Sequence, residues 1–293
     1  MKGEGFSLVK DRMGNIISPD EQQEKTLSFL YSNAFGRILT KLLCRRFVSN
    51  ICAWYMDSRF SKHRIKKLVK KNNIDVTEYE EREYKSFNDF FTRKIKKGAR
   101  VFDSDPKALV SPSDSKLTVY DITQDGVYRI KGCDYDIFKL LSSREKAMPF
   151  LGGKCLVFRL TVDNYHRYHY FDSGIETGHY FIKGVLHTVN PVALARYDVF
   201  GKNCREVTLE KTDNFGDCIC IEVGAMMVGK INNIHPETRF SRGDEKGYFS
   251  FGGSTVVVLL KKDVCEIDED IAENSKEHIE TAVKCGEKIG RAL

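Results

Sequence analysis

Ser254 stands in the run Phe251-Gly252-Gly253-Ser254-Thr255, directly ahead of the apolar stretch Val256-Val257-Val258-Leu259-Leu260. A Val-rich run of this length reads as a buried strand, so a serine hydroxyl sits where a loop enters the core. Glycine has no Cβ, which opens φ > 0 and lets other groups approach its carbonyl closely. A serine that attacks the peptide bond on its own N-terminal side needs that geometry. Two further stretches hold groups able to assist it. Ser111-Pro112-Ser113-Asp114 sets a carboxylate in a turn ahead of a strand, and Asn164-Tyr165-His166-Arg167-Tyr168-His169-Tyr170 sets two histidines three residues apart.

On a helix this histidine spacing would put both imidazoles on one face and suggest a metal. The flanks 156–161 and 168–171 read as β, where positions i and i+3 face opposite ways, and no further ligand cluster is evident, so no metal is expected. The two histidines then have different partners, one of them facing Ser254. A neutral imidazole can take the serine proton while a carboxylate fixes its tautomer. The chain order Asp114, His169, Ser254 suits a serine hydrolase in principle. The G-x-S-x-G elbow of such enzymes is missing, because Val256 holds the place of its last glycine.

Six stretches taken together carry more. Phe87-x-x-Phe90-Phe91-Thr92-Arg93, Ser111-Pro112-Ser113-Asp114 and Tyr165-His166-Arg167-Tyr168-His169 are followed by Glu222-Val223-Gly224-Ala225, Gly243-Asp244-Glu245-Lys246-Gly247-Tyr248-Phe249 and Gly252-Gly253-Ser254-Thr255. In this order, over residues 30–290, the chain resembles the phosphatidylserine decarboxylases, and within them the bacterial branch with Gly-Gly-Ser-Thr in place of Leu-Gly-Ser-Thr. It departs from the family pattern at Ser115, usually glycine, and at Asn164, usually aspartate. Neither replaces a group that the implied mechanism uses, although Ser115 could shift the Asp114 turn.

The resemblance implies a self-processing enzyme. His169, oriented by Asp114, would deprotonate Ser254, whose oxygen attacks the Gly253 carbonyl and turns the peptide bond into an ester. Loss of the α-proton of residue 254 would expel the Gly253 carboxylate, leaving dehydroalanine that hydrolyses to a pyruvoyl group and ammonia. Chains 1–253 and 254–293 result, a heterodimer open to further assembly. The pyruvoyl group derived from Ser254 is the one cofactor implied, with neither metal nor pyridoxal phosphate. It would form a Schiff base with phosphatidylserine and accept the electrons freed as CO2 leaves, giving phosphatidylethanolamine. His166 is the implied candidate for the proton transfer that follows. Two readings stay beside this one, a Ser254 esterase or lipase with the same triad and a non-catalytic lipid-binding protein. In both the chain remains whole.

The elements that must position these groups form an α+β succession: N-terminal helices, a largely antiparallel β core and a C-terminal helix. With 293 residues, 41% hydrophobic and 30% charged, the chain can bury a substantial core, and its net charge of +6 favours an anionic partner. Residues 1–24 read as an irregular lead-in. Within 26–71, Phe35, Ile38, Leu39, Leu42, Leu43, Phe47, Ile51 and Trp54 recur at helical spacing, with Arg37, Lys41 and Arg45 on another face. A second helix carries the basic block 64–71. Such a pair suits docking on an anionic bilayer, although packing on its own domain is the other reading. No zinc finger, RNP-like motif or basic-region heptad points to nucleic acid.

A helix is expected over 86–94 with Ser86 as N-cap, and strands over 117–122, 126–130, 155–161, 182–189, 219–228 and 255–260. The C-terminal helix is expected over 268–289, with Glu277 and Glu280 paired to Lys276 and Lys284 on its polar side. The division is therefore a membrane-associating helical section at 1–97 and a catalytic core at 98–293. The opening residues lack the apolar core of a secretory signal, and no run approaches the roughly 18 to 20 apolar residues that cross a bilayer. Membrane association would then be peripheral, at the cytoplasmic face of the cell membrane. The nine cysteines, with no C-x-x-C pair, read as free thiols of a reducing compartment.

Overall fold

Every residue from Ser254 to Leu260 is buried, so this run needs a partner strand on each edge and a covering layer on each face. The computed structural model of the chain, which describes residues 8–17, 29–30, 36, 38–40, 46–130, 133–194, 198–225, 230–252 and 254–293, supplies both. In chain order the strands are β1 (Val9–Lys10), β2 (Ile16–Ile17), β3 (Ala108–Val110), β4 (Ser115–Asp121), β5 (Val127–Ile130), β6 (Cys133–Asp136), β7 (Lys154–Leu160), β8 (Arg167–His169) and β9 (Gly174–Ile182). They continue as β10 (Arg205–Thr212), β11 (Gly216–Gly224), β12 (Ile231–Asn233), β13 (Arg239–Phe240), β14 (Glu245–Phe249), β15 (Ser254–Leu260), β16 (Cys265–Ile267), β17 (Glu280–Val283) and β18 (Lys288–Ala292). Ten of them form one sheet in the order β13-β9-β10-β11-β15-β7-β4-β17-β1-β2, antiparallel throughout except where β1 meets β17. The smaller sheets are β12-β14-β8, β16-β18-β3 and the hairpin β5-β6.

Alternation along β15 divides the core. Val257 and Leu259 join one hydrophobic cluster with Val157, Ile219 and Ile221, under the hairpin β5-β6. Val256, Val258 and Leu260 join a second on the opposite face with Phe158, Cys218 and Ile289. Each fully buried Val or Leu contributes roughly 1.5–3 kcal/mol, so β15 is among the least movable parts of the molecule.

Four helices matter for the site: α1 (Arg46–Asp57), α2 (His63–Asn72), α3 (Phe87–Phe91) and α4 (Glu269–Lys276). Ser86 caps α3 as expected, its Oγ accepting from the Asp89 N–H at 3.1 Å. Met56 of α1 packs on Phe87 and Phe91 of α3. The same helix leaves Phe47 73% and Trp54 75% exposed, seven residues apart on one face, and α2 buries no residue at all. Of the apolar set proposed for 26–71, Phe35, Leu42 and Leu43 lie outside the described residues, as do Arg37, Lys41 and Arg45.

Four expectations are corrected. The C-terminal helix stops at Lys276, because His278 takes φ +60 and breaks the turn, and residues 280–283 and 288–292 run on as β17 and β18. Glu280, expected on a polar helix face, is instead buried and accepts from Arg159 Nε at 2.7 Å and Nη2 at 2.6 Å. The lead-in is not irregular throughout: β1 and β2 extend the sheet, and Arg12 between them pairs with Asp268 and Asp270. Of the strand expected at 182–189 only Ile182 is extended in register. Beyond it Gly184 passes so close to the Lys202 carbonyl that a Cβ would sit 2.3 Å away, and a single bridge, Val185 to Asn203, replaces a ladder. The last residues expected in the 219–228 strand, 226–228, lie outside the described ones.

The buried Arg159–Glu280 fork ties β7 to β17 across β4. Glu280→Ala leaves a guanidinium without its carboxylate and should lower stability by about 3–5 kcal/mol, whereas the apolar pair Arg159→Met with Glu280→Leu should stay close to the parent in urea unfolding.

Candidate active site

Ser254 opens β15 with its backbone held on both edges, opposite Gly224 of β11 and Leu160 of β7. Its Oγ is buried and has no hydrogen-bond partner among the described residues. Leaving a buried hydroxyl unpaired costs roughly 1–3 kcal/mol, and such an atom calls for an explanation in function. Gly252 before it takes φ +140, a conformation open to glycine alone, while Gly253 lies outside the described residues. Gly224 packs closely: a Cβ there would meet Cys204 Sγ at 3.0 Å.

The two histidines come from the loop after β7 and from β8. Asn164 Oδ1 closes that loop by accepting from the N–H and the Oγ1 of Thr161, both at 2.8 Å. Arg93, wholly buried, donates to the carbonyls of Asp163 and Asn164 at 3.2 Å each and so pins the loop to α3. His166 Nδ1 lies 2.9 Å from the Asn164 carbonyl, which can only accept, so the proton is on Nδ1 and the lone pair on Nε2. That Nε2 is buried without a partner among the described residues, and the ring lies 3.9 Å from that of Phe91. Burial, helped by Arg93, pushes the His166 pKa down to about 3.

His169 is fixed by its N–H on the Pro112 carbonyl at 2.8 Å, and its Nδ1 is 3.3 Å from Cys285 Sγ. The ring lines a pocket of about 230 Å3 together with Lys94, Lys96, Lys97, Arg100 and Tyr165. Asp114 stands beside it but is otherwise engaged. Its carboxylate accepts from Arg100 Nε at 3.0 Å and Nη2 at 2.6 Å, and from the Cys285 N–H at 2.8 Å. Among the described residues no hydrogen bond joins Asp114 to His169, or either of them to Ser254. Cys285 stands between the two, its N–H on the carboxylate and its sulfur on the imidazole. Burial pulls the His169 pKa down to about 4 while the field of Asp114 works the other way. Both histidines are therefore neutral proton acceptors at neutral pH, with different partners.

A family profile described as phosphatidylserine decarboxylase matches residues 87–291. The chain belongs to the phosphatidylserine decarboxylase family. It is 48% identical over 273 residues to the phosphatidylserine decarboxylase proenzyme 2 of Clostridium acetobutylicum, covering 92% of this chain and 94% of that relative. It is 43% identical over 277 residues to the phosphatidylserine decarboxylase proenzyme of Ruminiclostridium cellulolyticum, covering 92% of both. With the Desulfitobacterium hafniense proenzyme the identity is 41% over 273 residues, 91% of this chain and 92% of the relative. As a member of this family the protein is a carboxy-lyase.

In this decarboxylase fold the acids of the Glu222-Val223-Gly224-Ala225 and Gly243-Asp244 stretches have different settings. Asp244 is a turn residue, its Oδ2 accepting from the Ser241 N–H at 2.7 Å. Glu222 is wholly buried, accepting from Lys246 Nζ at 2.9 Å and Asn233 Nδ2 at 2.8 Å. Burial opposes the Lys246 ammonium, but Glu222, Cys220 and Glu210 hold its pKa above the ordinary value. Burial also pushes Glu210 up to about 8, with Glu222 and Glu176 adding to the rise against Lys246. Sequence reading missed Arg93, Arg100 and Cys285. Arg93 was in view inside its Phe-Phe-Thr-Arg motif, but nothing in the spacing marks position 285, which reaches His169 only through the β17 turn.

The low histidine pKa values have a consequence for folding. Unfolded imidazoles titrate near about 6.5, so between there and about 4 the unfolded chain binds more protons than the folded one. Stability is complete above that window and is lost as the pH falls through it. The melting temperature should therefore drop from pH 6.5 to pH 4, and His166→Gln should drop less over the same range.

Proposed function

We propose that this protein is a self-processing phosphatidylserine decarboxylase whose catalytic carbonyl is made from Ser254. The observation that carries the reading is the buried, unpartnered Ser254 hydroxyl at the head of an immobile strand, directly after Gly252 and Gly253. A neutral imidazole, His169 by family resemblance, takes the hydroxyl proton, and the oxygen bonds to the Gly253 carbonyl carbon as its bond to the residue 254 nitrogen breaks. Removal of the Cα proton of residue 254 then expels the Gly253 carboxylate. Hydrolysis of the remaining unsaturated amine releases ammonia and leaves a ketone at the new N-terminus. Asp114 acts on His169 through its charge and through Cys285, which bridges them.

The orphaned hydroxyl position suits a pyruvoyl group, since Oγ would leave with the Gly253 carboxylate and the methyl left there would need no hydrogen-bond partner. Such a group supplies an electron sink for the pair left behind when CO2 departs from the substrate amine. His166, neutral and protonated on Nδ1, offers Nε2 to carry the proton that ends the reaction. The lysines and Arg100 around the His169 pocket suit the anionic head group of phosphatidylserine, giving phosphatidylethanolamine as product. The mature enzyme would be the pair of chains 1–253 and 254–293.

Denaturing electrophoresis with intact mass tests processing directly. The expected result is two fragments, the smaller starting at position 254, blocked to sequential degradation and shifted in mass by borohydride. Ser254→Ala should remain one chain, and His169→Gln should slow cleavage by about 10²–10⁴. A single unbroken chain that still releases CO2 from phosphatidylserine would overturn the proposal.

We further propose that α1 and α2 seat the enzyme on an anionic bilayer. Phe47, Ile51, Trp54 and Phe60 are exposed, next to the exposed Lys62, Arg64, Lys66, Lys67 and Lys70. No helix among the described residues is long and apolar enough to cross a membrane. Each lysine at the surface contributes about 1 kcal/mol, or about fivefold in binding. Sedimentation with phosphatidylserine vesicles should therefore weaken with salt and on Lys66→Glu with Lys67→Glu, and weaken further on Trp54→Ser. Equal binding of parent and variants to the phosphatidylserine vesicles would rule this face out.

A further inference from the structure

Two histidines with no part in the reaction, His179 and His235, meet beside Glu176 on the face of the large sheet that β12, β14 and β8 cover. Along a regular strand positions 176 and 179 would face opposite ways. The β9–β10 register, however, pairs Gly178 with Leu209 and Glu176 with Glu210, leaving Thr177 without an opposite residue. This bulge returns Glu176 and His179 to one face. His235 arrives from the segment after β12. One ligand atom from each of the three lies within 4.8 Å of the others, and the two imidazoles stack at 3.7 Å.

The hydrogen bonding at His235 calls for a cation. Its Nε2 is 3.0 Å from Glu206 Oε1 and its Nδ1 is 2.8 Å from Glu176 Oε2. A neutral ring that gives its one N–H to Glu206 turns a lone pair on Nδ1 toward a carboxylate oxygen, and two acceptors at that distance need a positive charge between them. Tyr170 O–H already occupies the other oxygen of Glu176 at 2.6 Å. The charge count points the same way. Glu176, Glu206, Glu210 and Glu222 share this face, with Glu210 directly opposite Glu176, and Lys246 is the ammonium buried among them. Like charges opposite one another destabilise a sheet. Four carboxylates gathered around one ammonium leave this face with an excess of acidic groups that a bound cation would offset.

We propose that Glu176, His179 and His235 bind a divalent transition-metal ion of the zinc class. Two nitrogens and one carboxylate oxygen suit zinc or cobalt rather than magnesium or calcium, and Glu206 on His235 Nε2 is the carboxylate that commonly orients a metal-bound imidazole. The half-exposed His179 ring tilts out of the stack so that both Nδ1 lone pairs converge on the ion at about 2.0–2.1 Å. The site then fastens β9, next to the two-residue edge strand β13 of the large sheet, to the segment after β12, in the small sheet whose strand β8 carries His169.

Titrating the metal-stripped protein with Co2+ and then Zn2+ tests this, by calorimetry and by the visible spectrum. The expected result is one ion per chain, a cobalt spectrum without thiolate charge transfer, and a melting temperature raised by Zn2+. His179→Ala should weaken binding at least tenfold and abolish the rise in melting temperature, and Glu206→Gln should weaken binding by about 10–100-fold. His179 is a surface residue, and an unchanged circular dichroism spectrum of its variant verifies the fold. Absence of a saturable site, a thiolate signature, or the same affinity in His179→Ala would overturn the proposal.

Discussion

One constraint organises this molecule: the peptide at the head of β15 has to be held still while its serine side chain is left unsatisfied. Ladders to β11 and β7 fix the backbone of Ser254, and hydrophobic clusters on both faces of the strand keep it from shifting. Intramolecular attack gains most when the reacting atoms are already confined near their reactive geometry. A flexible loop could satisfy the hydroxyl in many ways and would seldom aim it. Here the cost of an unpaired buried hydroxyl is carried by the surrounding core. Gly252, at φ +140, releases the chain from strand geometry immediately before the bond that matters.

The chemistry was more legible in the sequence than the scaffold around it. Ser254, the histidine pair and Asp114 are ordinary singly, a glycine turn before a strand and a turn aspartate among them, and stand out only as part of six stretches in family order. The strands at 155–161 and 255–260 were equally plain, since Val- and Leu-rich runs buried on both faces leave little choice. The C-terminal region misled because Glu277, Glu280 and Lys284 fit helical spacing. What decides there is non-local: Arg159, over a hundred residues away, draws Glu280 into the sheet, and β4 captures 281–283. The two-residue strands near the N-terminus are invisible to periodicity for the same reason, being strands only because β17 offers an edge. The placement of Glu176 and His179 on one face was hidden by a bulge whose position depends on the partner strand.

The electrostatics of the site also came from contacts that a motif does not contain. A carboxylate, an imidazole and a serine in the right order suggest a chain of direct hydrogen bonds. Instead Asp114 is saturated by Arg100 and by the Cys285 N–H, and Cys285 Sγ faces His169. The side chain of Arg100 is almost wholly buried, 8% exposed, so its charge is poorly screened, and Asp114 with it forms a fixed dipole rather than a free base. An imidazole next to such a pair feels partly cancelled fields, and burial then dominates its pKa. This is why His169 sits low despite a carboxylate neighbour. A base kept neutral accepts a proton readily only if the product cation is stabilised as it forms, and Asp114 is the group proposed above for that part.

The position of the proposed membrane face follows from the same packing. Met56 on α1 rests on Phe87 and Phe91 of α3, and Phe91 touches both His166 and Phe251, three residues before Ser254. Apolar contacts thus run from the buried Met56 of α1 to the imidazole proposed to move the final proton. Decarboxylation is favoured where water is scarce, because a carboxylate loses its hydration there and the departing CO2 needs none. The low pKa of His166 is the signature of that dryness, since burial is its largest cause. Polar substitution in the Phe87–Phe91–Phe251 cluster would therefore disturb the chemistry as much as the docking, although none of these rings carries a reactive atom.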